Sequence, residues 1–182
     1  MDIDVQNIFR SQFTDIQIDI IGEIIKKAEI IKVKKNETLV NYQAEDLKLY
    51  FIAQGSFIHN LITSRGEERT IMFHTESFNS FFKSYDTVFQ HKKTDYTIKA
   101  NENSVIIAFP FYQIKDIIFG NLPLLNFYIQ KTEDLLITIQ QFHNFRMAFT
   151  AEEYLQWLYE SYPFVFQRFS AQNIANFMGI TP

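Results

Sequence analysis

Few residues in this chain have side chains able to do chemistry, and their spacing excludes more than it supports. Four histidines stand at His59, His74, His91 and His143, and no two of them form a His-X-His pair. A metalloenzyme built on strands needs clustered histidines with a carboxylate nearby, so the scatter gives no metal site and no catalytic set. Cysteine is absent, which removes disulfides, thiolate nucleophiles and cysteine-held iron–sulfur clusters. No enzyme activity and no cofactor are expected. Tyr42, Tyr50, Phe73, Phe81 and Tyr96 could face a small ligand, but aromatic residues in strand-like segments are more often core. The twenty phenylalanines and nine tyrosines accordingly read as a compositional bias rather than a ligand cage.

The last stretch, SAQNIANFMGITP, has a more specific pattern. Ser170 can cap a short helix. Ala175 is small and central, Gly179 follows four residues later, and Ile174, Met178 and Ile180 supply apolar surface. Two helices that cross steeply need a small residue at the contact, a glycine in the turn and apolar residues on either side. This is the spacing of a helix-turn-helix. Thr181 is then a good N-cap and Pro182 a good first residue of the second helix. That second helix, the one that lies in the major groove, is expected after Pro182. Arg168, Gln172, Asn173 and Thr181 are the available groups near a DNA backbone. They can position phosphates but cannot read bases alone.

These residues need elements to hold them. Apolar residues at helical spacing between Ile3 and Ile31 predict one or two helices, with Thr14 or Asp15 as a cap. From Ala28 to Pro110 the chain reads as short strands: IIKVKK, TLVNY, KLYFIAQGSFIHNLITS with Gly55 at its centre, ERTIMFH, DYTIKA and SVIIAF. Gly66 marks a hairpin turn. Short strands at this spacing argue for a small antiparallel barrel or jelly roll. FYQIKDIIFG predicts a helix ended by Gly120. A long helix follows from Pro123 to about Phe149. Along it Leu125, Ile129, Thr132, Leu136, Ile139, His143 and Arg146 recur at steps of four and three, and Leu122, Tyr128, Leu135 and Phe142 form a second row beside them. A stripe this wide suits a dimer seam that also packs on its own subunit. Thr150-Ala-Glu-Glu153 is a capping box opening a further helix, and FVFQRF reads as a connector.

The chain has 182 residues, 47% of them hydrophobic, and a net charge of −4. That is enough for one domain, or for a larger and a smaller one. An acidic chain repels nucleic acid, so any DNA contact must be local. No apolar run approaches a membrane span and the N-terminus is acidic. A soluble cytoplasmic protein is expected, with no membrane partner.

The order of elements resembles the cyclic-AMP receptor and fumarate/nitrate regulator (Crp/Fnr) family of bacterial transcription regulators over nearly the whole chain. LYFIAQGSF resembles the family's glycine-containing hairpin, and IKANENSVIIAF its last barrel strands. AEEYLQWL and FSAQNIANFMGITP resemble its C-terminal helices. The resemblance implies an α+β fold: a cyclic-nucleotide-binding-like jelly roll with flanking helices over 1–120, a dimerisation helix over 121–149, and an incomplete (winged) helix-turn-helix domain over 150–182. It also implies a homodimer, DNA and RNA polymerase as partners, and a small effector in the barrel.

In cyclic-nucleotide members a cassette of Phe-X-Gly-Glu, then Arg-Ser-Ala, holds ribose and phosphate. The matching stretch here is Phe78-Asn79-Ser80-Phe81, so glycine becomes Ser80 and glutamate becomes Phe81. Further on, arginine becomes Thr94 and serine becomes Asp95. An aspartate repels a phosphate, and Lys92 or Lys93 offers a point charge rather than a fork. Binding of cyclic AMP by the family's usual route is not expected. The scattered histidines give no haem-ligand pattern either. A regulator that senses another effector is the leading expectation. The alternative is a stand-alone dimeric ligand-binding or interaction protein without DNA binding.

Overall fold

The computed structural model describes residues 4–13 and 16–180. The cap expected at Thr14 or Asp15, and the roles given to Thr181 and Pro182, lie outside the described residues. Two short helices, α1 (Val5–Arg10) and α2 (Ile18–Ile25), precede the strands. The strands are β1 (Glu29–Val33), β2 (Thr38–Val40), β3 (Lys48–Gln54), β4 (Ser56–Ile62), β5 (Glu68–Thr75), β6 (Phe81–Lys83), β7 (Tyr96–Ala100) and β8 (Ser104–Pro110), with a short helix α3 (Tyr85–Gln90) between β6 and β7. Then come α4 (Phe111–Gly120), α5 (Leu122–Ala148), α6 (Ala151–Ser161), α7 (Pro163–Arg168) and α8 (Ala171–Met178).

The strands form two antiparallel sheets, ordered β1-β8-β3-β6 and β2-β7-β4-β5. Their inner faces meet in a jelly-roll interior. Alternation along β3 and β8 explains the layering. Tyr50 and Ile52 of β3, and Ile106 and Ala108 of β8, point into the barrel. Phe51 and Ala53, and Ile107 and Phe109, point out to α1, α2 and α4. Both faces are therefore apolar, which is why KLYFIA and SVIIAF read as nearly unbroken apolar runs. The second sheet is also two-sided. Phe57 faces inward, while Ile58, Met72 and Phe73 face a third cluster made with α5, α6, α7 and α8.

The β3–β4 turn passes from one sheet to the other through Gly55, which has φ +107°. A Cβ at Gly55 would lie 2.1 Å from the Ser104 Oγ. Both the backbone angle and the space demand glycine.

The long helix α5 starts at Asn121, whose side chain accepts a hydrogen bond from the Leu124 N–H at 3.1 Å. Helix α4 ends at Gly120 as expected, and Asn121, in an extended conformation, is its C-cap. The capping box forms: Thr150 Oγ1 accepts from the Glu153 N–H at 3.3 Å, and the Glu153 carboxylate accepts from the Thr150 N–H at 2.8 Å. FVFQRF is not a connector but most of α7, opened by Pro163 at its first turn. Strand β6 and helix α3 also escaped the sequence reading.

Gly55→Ala should cost about 2–4 kcal/mol of unfolding free energy, from strain at positive φ plus the clash. Chemical denaturation measures this. Adding Ser104→Gly should recover part of the loss but not all, because the second change removes the Oγ and Cβ contacts and leaves the Cα of residue 104 at 2.8 Å and the φ strain.

Candidate effector site and candidate nucleic-acid interface

The barrel interior is where an effector would be sought, and large side chains fill it. Tyr50 stacks on Phe82 with centroids 5.1 Å apart, and Phe57 lies 6.0 Å and His74 4.8 Å from Phe82. The Tyr50 hydroxyl donates to Asp46 Oδ1 at 2.9 Å, and the Ser84 hydroxyl donates to Asp46 Oδ2 at 2.7 Å. Burial, with Asp46 alongside, holds the Tyr50 phenol well above its ordinary pKa.

Strand alternation brings two of the scattered histidines together. His59 of β4 and His74 of β5 stack at 5.7 Å, and His59 lies edge-on to Tyr96 at 4.2 Å. His74 Nδ1 sits 3.0 Å from the Asn79 carbonyl oxygen. A carbonyl only accepts, so Nδ1 holds the proton and Nε2 presents a lone pair. The Nε2 atoms of both rings are enclosed and have no hydrogen-bond partner. Burial, and next the neighbouring His74, pushes His59 down to about 3. Burial pushes His74 down to about 4 against the opposing bond to Asn79. Both are neutral at pH 7.

The residues expected in an effector cassette do not converge on this interior. Phe78 packs outward, with Tyr162 at 5.2 Å and Phe164 at 5.0 Å. The Ser80 carbonyl accepts from the Ile52 N–H at 2.9 Å. Phe81 faces the opposite side, against Phe9 and Phe51, and it is Phe82 that enters the barrel. Thr94 is fully buried. Its hydroxyl donates to the Asn41 carbonyl at 2.7 Å and accepts from the Ala44 N–H at 3.2 Å, so it fastens the 41–44 loop. Lys92, Lys93 and Asp95 are exposed.

One charged residue was missed. Lys83 of β6 is only 4% exposed. Its Nζ lies 4.4–4.7 Å from the ring centres of Tyr85, Phe89, Phe111 and Tyr128, and it donates to the Tyr128 hydroxyl. Burial pushes its pKa down to about 8. No local pattern announces this cage, because its rings come from β6–α3, α4 and α5.

The C-terminal helices present a candidate nucleic-acid interface, and they are docked on the barrel. Strand β5 is a sheet edge. Asn176 of α8 covers part of it: its Oδ1 accepts from the Thr70 N–H at 3.2 Å and its Nδ2 donates to the Glu68 carbonyl at 3.1 Å. An unpaired strand edge is thereby given the donor and acceptor it lacks. Arg168, expected near phosphates, instead ion-pairs with Glu76 at 2.8 Å and with Glu102. Its carbonyl accepts from Asn101 Nδ2 at 3.0 Å. From α5, Arg146 donates to the Phe177 carbonyl at 2.6 Å.

Gln172 is exposed and Asn173 half-buried; the Asn173 N–H is capped by Ser170 Oγ at 3.2 Å. Ile174, Ala175 and Met178 are buried, whereas Ile180 is 39% exposed and does not fill an apolar contact among the described residues. Gly179 takes the left-handed conformation, φ +77°, and the Ile180 N–H returns to the Ala175 carbonyl at 3.0 Å. The helix therefore stops as the turn spacing requires. Trp157 of α6 sits in the same unit, against Phe145 at 4.5 Å, Tyr154 at 5.5 Å, Tyr162 at 5.6 Å and Phe142 at 6.0 Å.

The row expected as a seam on α5 divides. Ile129 is 44% exposed, Leu136 56% and Ile139 46%, and His143 is exposed beside them. Leu125 and Thr132 are half-buried; the Thr132 hydroxyl donates to the Tyr128 carbonyl at 2.9 Å. Arg146 turns to α8. Tyr128, Leu135 and Phe142 pack on the chain's own clusters.

No family model matches the chain, and no curated protein matches it in sequence. Solved structures do. A transcriptional regulator of the Crp/Fnr family from Eubacterium rectale shares 16% identity with a TM-score of 0.71, covering 94% of this chain and 82% of that one. A CooA mutant from Carboxydothermus hydrogenoformans shares 15% with a TM-score of 0.69, over 93% of this chain and 80% of that one. The sensor domain of the transcriptional regulator DNR from Pseudomonas aeruginosa shares 16% with a TM-score of 0.61, over 75% and 89%. The class is an antiparallel jelly roll followed by a long helix and small C-terminal helices, the fold of Crp/Fnr regulators. Among the described residues no helix is long and apolar enough to cross a membrane.

Two outcomes are expected. A histidine held below its ordinary 6.5 binds fewer protons folded than unfolded, so its stabilisation is complete above pH 6.5 and is lost as pH falls towards 4. Each neutral histidine should therefore cost ~2 kcal/mol of stability on going from pH 7 to pH 5. Denaturant titration should show this loss, and His59→Phe should lessen it. Asn176→Ala should speed hydrogen exchange at Thr70 and through α8 and cost about 1–2 kcal/mol, with little change in the α1–α2 layer.

Proposed function

We propose that this chain is the sensing and dimerising part of a transcription regulator of the Crp/Fnr kind. It acts as a homodimer through α5, responds to a small effector at the sensor barrel, and binds DNA through a recognition helix that follows α8. The observation that carries this is the unpartnered stripe of Ile129, Leu136 and Ile139 on a 27-residue helix whose other side is packed on its own chain. Apolar residues at steps of seven and three on a solvent-facing helix are the seam of a two-stranded coiled coil. The fold supports the same reading, as do the left-handed Gly179 and the return of Ile180 onto Ala175. RNA polymerase is the further partner of such a regulator.

A specific observation favours the second reading, a dimeric sensor that does not bind DNA. Within 150–180 the charged side chains are Glu152, Glu153, Glu160 and Arg168, and that arginine is neutralised by Glu76 and Glu102. Groups that neutralise phosphates must then come from a following segment, or undocking must free Arg168. The protein made from its native gene distinguishes the two: a regulator shifts duplex DNA with affinity that falls steeply with salt, and a stand-alone sensor does not.

Sedimentation equilibrium tests the seam directly. The chain should run as a dimer. Leu136→Glu, alone or with Ile139→Glu, should give a folded monomer, since each places a charge in the apolar contact. A wild-type chain that stays monomeric at tens of micromolar would remove the seam.

A further inference from the structure

Lys83 is a buried cation without a counter-ion. Among the described residues its ammonium has no ion-pair partner, and its one hydrogen bond goes to the Tyr128 hydroxyl. Two of its three N–H groups are left to the faces of aromatic rings. Ring faces stabilise a cation, but a desolvated charge of this kind favours a complementary one.

Space for such a charge adjoins it. A cavity of about 60 Å³ lies between α1, β3, β6, α4 and α5, lined by Phe9, Leu49, Phe81, Leu124 and Phe127 and, as its polar lining, by Lys83, Tyr85, Tyr128, Lys131 and Thr132. About four water-sized groups fit in that volume. The lining admits one anionic group and otherwise apolar atoms. A second negative charge would have only Lys131 to meet it, and a phosphate would leave oxygens facing phenylalanine. We propose that this cavity binds a short aliphatic monocarboxylate of two to four carbons, its carboxylate on the Lys83 ammonium and the Tyr128 hydroxyl and its alkyl group against Phe81 and Phe127. The site lies on the outer face of the β1-β8-β3-β6 sheet, not in the barrel interior. Leu124, Phe127, Tyr128 and Thr132 belong to α5, so an occupant bears directly on the helix that carries the exposed stripe. Its role as an effector rests on the regulator reading above; the binding itself does not.

Sodium propionate is the probe, titrated into the whole chain by calorimetry with sodium chloride at matched ionic strength as control. Binding should saturate at one site per chain, and Lys83→Met should weaken it at least about tenfold, as loss of a charged hydrogen bond does. Because Lys83→Met removes a core residue, the wild-type protein is also examined by NMR. Magnetisation transfer from the propionate methyl to the rings of Phe81 and Phe127 is the expected result. No saturable binding, equal binding by Lys83→Met, or equal competition by inorganic phosphate would overturn the assignment. Sedimentation of the same samples separates the two readings: a dimer that ignores propionate loses the ligand site and keeps the seam, and a monomer that binds propionate does the reverse.

Discussion

A sheet that is apolar on both faces must be covered twice, and most of this structure follows from that requirement. The β1-β8-β3-β6 sheet turns Tyr50, Ile52 and Ile106 inward and Phe51, Ile107 and Phe109 outward. The inner set closes the jelly roll. The outer set requires α1, α2, α4 and the first half of α5. The β2-β7-β4-β5 sheet repeats the demand at Ile58, Met72 and Phe73, and the C-terminal helices meet it. Helix α5 serves both coverings, with Leu124 and Tyr128 in one and Leu135 and Phe142 in the other. The barrel and the C-terminal helices therefore share one rigid element. A one-residue slip in β3 or β8 would exchange both apolar sets and leave neither layer covered.

What the sequence made legible depended on how local each feature is. The capping box at Thr150, the turn at Gly55 and the left-handed Gly179 are set by residues within a few positions of one another, and all were read correctly. Strand β6 was not, because Phe81-Phe82-Lys83 is too short to show a period. Helix α7 offered one start signal, Pro163, amid residues that suit a connector equally well. On α5 the spacing defined a stripe, but spacing cannot say what covers it. Arg146 and Thr132 stand in register with Ile139 and Leu136 and yet turn towards their own chain.

The candidate sites were the least legible part, for the same reason. The His59–His74 pair is separated by a hairpin, and the Lys83 cage draws on several segments. Aromatic residues that read as a compositional bias form, at this one place, a binding wall for a cation. The motif-derived positions fared differently. Phe78 and Phe81, three residues apart, both lie outside the barrel but in different layers, Phe78 with the C-terminal helices and Phe81 with α1. Arg168 is committed to Glu76 and Glu102, a choice that only the fold of the β5–β6 and β7–β8 connections reveals.

The C-terminal cluster has an optical consequence. Trp157 is the only tryptophan in the chain, and its ring touches Phe142, Phe145, Tyr154 and Tyr162, all on α5, α6 or the start of α7. The barrel's own chromophores are tyrosines, among them Tyr50 and Tyr96. Tyr154 and Tyr162 stand beside the indole and Tyr159 lies on the same helix, so tyrosine bands mix barrel and helices, whereas indole emission reports the helical unit alone and follows its loosening in an unlabelled sample.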